Sequence, residues 1–353
     1  MQITFRRVGS GLAGLGLIAG LAAAYASASL PASAANKKLP SVAIATPAKT
    51  SDYGWNSQGV VGLRAAANAA GIKNVKVVQN IGYNNTPSVL RQLAQSGAGL
   101  IIAHASGYDP QAKQIAHQFK IPTVTYDDPT LLEKGDLSNI TTSSQQGAYL
   151  AGILAAKTTK TGHIGVILSA QDPNWYEMEG GYAAGAHSVN PKLTITTATI
   201  SAAGYDDSAG GKRVATSVIA TGADVIFAMG DNASFGYLSG ISAAKTAGKK
   251  VWYIGDIGNI TPIDTAHVLL SSVLWNFTNV DKAIIGDVKR GAFGTHGYNL
   301  TLGNGGISLL RSKYISSSLW SQIMTADKGI VAGTIKVPVT TTDAAAKKLL
   351  KAA

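Results

Sequence analysis

The chain has 353 residues, 46% of them hydrophobic, with 30 Lys and Arg against 19 Asp and Glu and a net charge of +11. It contains no cysteine, which excludes disulfides, thiolate metal sites, a catalytic thiol and the lipid-modified cysteine of a bacterial lipoprotein. The basic residues are scattered, with a mild cluster at Lys347, Lys348 and Lys351, rather than gathered into the stripe that nucleic-acid binding uses; no nucleic-acid partner is expected.

Residues 1–34 read as a secretory signal. Arg6 and Arg7 form its basic start, an apolar Gly/Ala/Leu stretch follows, and Ala32-Ser33-Ala34 fits small-x-small cleavage. A transmembrane anchor over Val8 to about Ala24 is the rival reading, near the minimum length for a span. The cleavage signature favours removal, so the chain is expected to be soluble and periplasmic or secreted, with no membrane anchor. A "GSGLAG" at 9–14 satisfies G-x-G-x-x-G, but it lies in this segment and precedes no strand–helix unit.

From residue 41 short β-rich runs alternate with helical patterns. Strands are predicted near 41–46, 75–79, 99–103 and 122–126, and a second series near 163–168, 194–199, 223–228 and 251–255. Segments such as 58–70 and 87–96 suit helices. This alternation implies parallel sheets covered on both faces. Runs such as "GLIIA" and "DVIFA" fit strands buried on both sides.

Four strands and then four more predict two similar lobes. "SGAGLIIA" (96–103) and "TGADVIFA" (221–228) share one pattern, each closing a helix with Gly and entering a buried strand. A ninth strand, "HVLLSSVLW" (267–275), and a helix, "VDKAIIGDVKRG", suggest that the chain crosses back to the first lobe. The expected boundaries are 35–141 plus 270–296 for the N-terminal lobe and 142–269 for the C-terminal lobe. Residues 297–353 are left without a lobe. Ligands of open α/β sheets sit beyond the carboxyl ends of the strands. Loops of both lobes would face each other there.

Those loops are rich in aromatics, Asp and Asn. Strand one leads to Asp52, Trp55 and Asn56, strand three to His104, Tyr108 and Asp109, and strand four to Tyr126, Asp127 and Asp128. The second lobe supplies Trp175 and Tyr176, Tyr205 and Asp206, Asp231 and Asn232, then Asp256 and Asn259; the ninth strand delivers Trp275 and Asn276. Such a wall suits a flat, polar, nitrogen-rich ligand. Aromatic faces stack on a base, and Asp and Asn read N–H and carbonyl edges. The candidate ligand-binding residues are Asp52, Trp55, Asn56, Tyr108, Asp109, Trp175, Tyr205, Asp231, Asp256 and Trp275. Plainer roles exist: Asp52 as a helix cap, Asp109 and Asp128 as turn residues before Pro, Trp252 and Trp320 as packing.

The stretches "VAIATPAKTSDYGWNSQGVVGL", "NITTSSQQGAYLAGILAAKTTKTGHIGVI", "TGADVIFAMGD" and "SSVLWNF" resemble the basic membrane protein family of transporter substrate-binding proteins, from about Ser41 to Pro338. The resemblance implies an α/β, type I periplasmic binding-protein fold: two doubly wound parallel-sheet lobes on a multi-crossover hinge. It further implies capture of a purine-type ligand and delivery to an ABC permease with its ATPase. The family's Asp-x-x-aromatic-Asn segment matches Asp52, Trp55 and Asn56, and its later acidic residue matches Asp256. Nucleoside receptors of the family often carry Lys where Trp275 stands. That departure points to a free purine base or related heterocycle, with a nucleoside second.

No catalytic signature accompanies this. There is no P-loop and no G-x-S-x-G elbow, and the six His show no metal spacing. The "DD" pairs at 127–128 and 206–207 are adjacent turn residues, which do not converge on one substrate atom. Binding without a cofactor or metal is expected, by a monomer. The alternative is a sensory receptor of the same fold that passes its closed state to a membrane kinase or chemoreceptor.

Overall fold

The computed structural model describes residues 38–351; the signal segment expected over 1–34 lies outside them. The first lobe is built on β1 (Ser41–Ala45), β2 (Asn74–Val78), β3 (Ile101–Ala103), β4 (Thr123–Tyr126) and β5 (Leu137–Thr142). Between them run α1 (Trp55–Ala69), α2 (Thr86–Gln95) and α3 (Asp109–Phe119). The strands stand in the order β2-β1-β3-β4-β5, all parallel. The all-apolar runs explain the order: β1 and β3 are buried along their whole length at the centre, whereas the Lys-bearing β2 is an edge.

The second lobe repeats this plan. It contains α4 (Ser144–Thr158), β6 (His163–Leu168), α5 (Pro173–Val189), β7 (Thr194–Thr199), α6 (Ser208–Ala220), β8 (Val225–Met229), α7 (Ala233–Thr246), β9 (Trp252–Ile257) and β10 (Leu269–Trp275). Its strand order, β7-β6-β8-β9-β10, matches that of the first sheet position for position. The two echoed sequence stretches enter β3 and β8, the third strand of each series. Gly97 and Gly222 precede them at φ +80° and +104°, a left-handed turn out of the helix that side chains resist.

The ninth predicted strand corrects the expected boundary. β10 pairs with β9 and stays in the second sheet, so residues 270–275 do not belong to the first lobe. The return comes one element later, at α8 (Thr278–Arg290), which packs on α1. β11 (Tyr298–Leu300) then joins β5, and β12 (Ile307–Leu309) goes back antiparallel to β10. α9 (Ser317–Val331) and α10 (Asp343–Leu349) pack on α4 and α5, which places most of the tail with the second lobe. The chain therefore passes between lobes near residues 142–144, 275–278 and 300–307. These strands are sewn together: the Ser143 N–H donates to the Leu300 carbonyl at 2.8 Å, and the Asn276 N–H to the Gly306 carbonyl at 2.7 Å. Among the described residues no helix is long and apolar enough to cross a membrane.

The second lobe is held by an unusually close helix pair. α4 and α5 meet through glycines: a Cβ on Gly152 would lie 2.1 Å from the Tyr182 carbonyl oxygen, and one on Gly185 would lie 2.0 Å from the Tyr149 carbonyl oxygen. Backbone opposes backbone there, so no side chain can swing away. Gly152→Ala is expected to force the helices apart and lower stability by about 1–3 kcal/mol. Urea denaturation of the two proteins measures this; equal midpoints would show that the pair can slide.

Candidate ligand-binding site

A cavity of about 500 Å³ lies where the carboxyl ends of both sheets face each other. The first lobe contributes Trp55, Asn56, Tyr83 and Asp127; the second contributes Asp172, Asn174, Trp175, Tyr205, Asp206, Asp231 and Ile257; Trp275 stands at the second crossing between lobes. Six of the candidate residues are thus brought together: Trp55, Asn56, Trp175, Tyr205, Asp231 and Trp275.

Trp55 opens α1 and is fixed at three points. Its ring stacks on the His104 imidazole, centroids 4.2 Å apart and planes 20° from parallel. Its Nε1–H donates to the His104 carbonyl at 2.9 Å, and its own carbonyl accepts from His104 Nε2 at 2.9 Å. That acceptor fixes the tautomer: Nε2 carries the proton, and Nδ1 accepts the Tyr126 hydroxyl at 2.7 Å. Burial pushes His104 down, to about 4, so the ring stays neutral. Gly59 makes room, because a Cβ there would meet the imidazole at 2.3 Å. An indole in a polar turn is therefore not loose. One face is backed by histidine and the residue lines the cavity.

Trp175 and Trp275 are buried. Trp175 Nε1 donates to Ser169 Oγ at 3.0 Å, whereas Trp275 Nε1 has no partner among the described residues. Trp55 and Trp275 stand 5.9 Å apart at 80°. A ring sandwiched between two tryptophans needs near-parallel walls, so in this arrangement Trp55 offers a face and Trp275 a perpendicular wall. Tyr205 is aimed by its hydroxyl, which donates to Asp172 Oδ2 at 2.7 Å; Asp172 Oδ1 meanwhile caps α5 through the Asn174 N–H at 2.8 Å.

The carboxylates cluster without basic partners nearby. Asp231 of the second lobe accepts the Trp55 N–H of the first at 3.0 Å. Burial first, then the Asp52 carboxylate, holds it well above the usual range. Asp127 opens into the cavity with φ +63°, and enclosure by the cleft followed by the Asp172 charge raises it to about 7. Ile257 on the opposite wall has φ +57°, a strained state for a β-branched residue.

Four candidates lie outside the lining. Asp52 is buried and accepts the N–H groups of Gly54, Asn56 and Ser57, at 3.2, 2.9 and 3.0 Å; it is the cap of α1. Tyr108 is buried with its hydroxyl donating to the Gly82 carbonyl at 2.7 Å. Asp109 begins α3 and accepts the Tyr126 N–H at 3.4 Å. Asp256 is buried beneath the cavity, both oxygens facing the Gly230 N–H at 3.3 Å, and burial drives its carboxyl well up. Tyr83, Asp172, Asn174 and Ile257 were not among the candidates. Tyr83 carries the same signal as Trp55, an aromatic in a Gly/Asn turn; Asp172 resembles any Asp before Pro.

Two lobes of matching strand order, three crossings and a cleft at the strand ends define a type I periplasmic binding-protein fold. The solved solute-binding protein of an ABC transporter system from Conexibacter woesei superposes with a TM-score of 0.71 at 20% identity, over 85% of this chain and 98% of that one. One from Aeropyrum pernix gives 0.73 at 18%, over 87% and 95%. The chain belongs to the Bmp family, described as ABC transporter substrate-binding protein, PnrA-like, which matches residues 39–341. It is 29% identical over 224 residues to the ABC transporter nucleoside-binding protein BmpA of Lactococcus lactis subsp. cremoris, covering 60% of this chain and 63% of that relative. It is 26% identical over 240 residues to basic membrane protein A1 of Borrelia garinii subsp. bavariensis, covering 67% and 68%. The aligned part thus spans just under two-thirds of the lactococcal relative's length. The resemblance drawn from the sequence over 41–338 is borne out.

Proposed function

We propose that this chain is the extracytoplasmic capture component of an ABC importer and takes up a purine base or related nitrogen heterocycle, with a nucleoside as second choice. The observation that carries this is the interlobe cavity of about 500 Å³, walled by Trp55, Trp175, Trp275, Tyr83 and Tyr205. Flat aromatic walls with Asp and Asn at their edges suit a flat ring that bears N–H groups. The family description and the lactococcal relative's name support an importer and a base-bearing ligand. The partners would be a permease with its ATPase, met by a monomeric closed form.

Calorimetry against adenine, guanine, hypoxanthine, xanthine and their nucleosides tests the reading. At least one is expected to bind in the micromolar range or tighter, with sugars and amino acids silent. Heat from a sugar or an amino acid alone would overturn it.

A further inference from the structure

The whole chain is basic, yet its cleft is acidic. Asp127, Asp172, Asp206, Asp207 and Asp231 line the cavity, and among its lining residues there is no Lys, Arg or His. With basic residues outnumbering acidic ones 30 to 19 along the chain, five acids and no base around one cavity is a local reversal of sign. Asp207 is occupied elsewhere: it caps α6 through the Gly210 N–H and lies 3.8 Å from Arg213. The other four have no ion-pair partner among the described residues. Their bonds are to neutral donors: Asp172 to Tyr205 and Asn174, Asp206 to Asn232 at 2.8 Å, Asp231 to the Trp55 amide. Each carboxylate keeps lone pairs free.

The aromatic walls have the same electrical sense. The faces of Trp and Tyr are the negative part of the ring quadrupole, and a cation is drawn to them. Trp175 lies between Tyr205 and Trp275, centroids 6.3 and 6.4 Å away and planes tilted by 51° and 59°. Together with Trp55, these rings form walls at steep angles to one another rather than two parallel plates. A neutral base gains from one such wall by stacking. A cation gains from every face turned toward it, and a concave site of one sign focuses the field further.

We propose that the cleft selects a positively charged nitrogen heterocycle and rejects phosphorylated ligands, a proposal that rests on the reading of this cleft as the ligand site. A phosphate would meet four acidic side chains with no cation to receive it. A charged ring would supply the missing counter-charge and place its N–H groups on Asp127, Asp172 and Asp231, bonds stronger than their neutral counterparts.

The acids give the proposal a pH signature. Asp127 is faced by Tyr126 of its own strand end, Asp128 beside it, Asp109 of α3, and Asp172, Asn174 and Glu177 at the start of α5. The charged groups among them are all acidic. Burial and then the Asp127 charge raise Asp109 and Glu177 to about 7, and partial enclosure with the Asp172 charge raises Asp127, which stays open to solvent, in the same direction. Below that pH these three groups hold protons that weaken the negative field around the cleft; above it they are ionised and strengthen it. Affinity for a cation therefore rises as pH increases through about 7, and a neutral ligand shows no such rise.

The test is calorimetry with a matched pair, 9-methyladenine and 7,9-dimethyladeninium, which differ by one methyl group and a permanent positive charge. The cation is expected to bind at least about tenfold more tightly at pH 8, with a smaller margin at pH 6, and AMP to bind far more weakly than adenosine. Asp127→Asn and Asp231→Asn should each shrink the margin, weakening the cation by a larger factor than 9-methyladenine. Both keep local structure, since Asn tolerates the left-handed φ at 127 and retains an acceptor for the Trp55 amide. Equal or tighter binding of 9-methyladenine overturns the proposal and leaves the heterocycle reading standing. Silence from the pair and from the purines and nucleosides alike overturns both.

Discussion

Trp55→Ala is expected to weaken ligand binding by about 1–3 kcal/mol, roughly 5- to 150-fold, without unfolding the protein. The indole is the one cavity tryptophan that is only half-buried, and it presents a face backed by His104. Its loss removes a stacking surface that is already oriented before the ligand arrives, so no ordering cost is recovered. The fold survives because His104 keeps the Tyr126 hydroxyl and stays packed on Gly59 and Phe277. Trp55→Phe should restore part of the affinity, since a smaller ring keeps a face but loses the Nε1–H bond to the His104 carbonyl. Calorimetry read beside thermal melts separates the cases. A large fall in melting temperature would mark Trp55 as core, and unchanged affinity would remove it from the site.

The second large effect belongs to a residue that touches no ligand. Gly258, just after β9, meets Tyr53 of the first lobe so closely that a Cβ would lie 1.5 Å from the Tyr53 carbonyl oxygen. No rotamer relieves a clash between a Cβ and a backbone atom. Gly258→Ala is therefore expected to hold the lobes apart while each lobe stays folded. Apparent affinity falls in proportion to the remaining closed fraction, by tenfold or more if closure is confined to about a tenth of molecules. Small-angle scattering should then show no ligand-induced compaction. A Gly258→Ala protein that binds and compacts like the parent would show that the lobes close along another path.

The strands that were legible in the sequence are the ones buried on both faces. β3 and β8 read as unbroken apolar runs, which only a central parallel strand tolerates. β5, with the sequence LSNITT, gave no such signal: four of its six residues are polar, and Ser138 Oγ donates to the His296 carbonyl at 2.7 Å. β11 and β12 have three residues each, too few for any period to show. β10 was visible as a strand, but its sheet was not. A strand's neighbour is decided by the length and direction of the connection before it, and the β9–β10 connection looks like any crossover.

The site was legible where chemistry sat in an unexpected place, and illegible where it depended on direction. An aromatic in a polar turn is conspicuous, which found Trp55 and would have found Tyr83. Asp256 and Ile257 show the other case. They are consecutive at the end of β9, and successive side chains of a strand point to opposite faces. The carboxylate falls beneath the cavity and the isoleucine lines it, so the polar residue of the pair is the one turned away. A shift of one residue would have exchanged them, and no propensity distinguishes the two registers.

The first turn of α1 is completed by both lobes. Asp52 takes two of its amides, and Asp231, from across the cleft, takes the one on Trp55. A helix end that borrows a cap is fully ordered only while the lender is present. When the lobes part, the Trp55 amide loses its acceptor, and the ring that would receive a ligand is carried on a turn with one fewer constraint. Trp55 thus joins three relations in one residue: N–H to the far lobe, carbonyl to His104, ring to the cavity. Recognition and closure are read by the same peptide unit. Hydrogen exchange at that single amide then serves as a gauge of how often the cleft opens, and a ligand that favours closure should slow it.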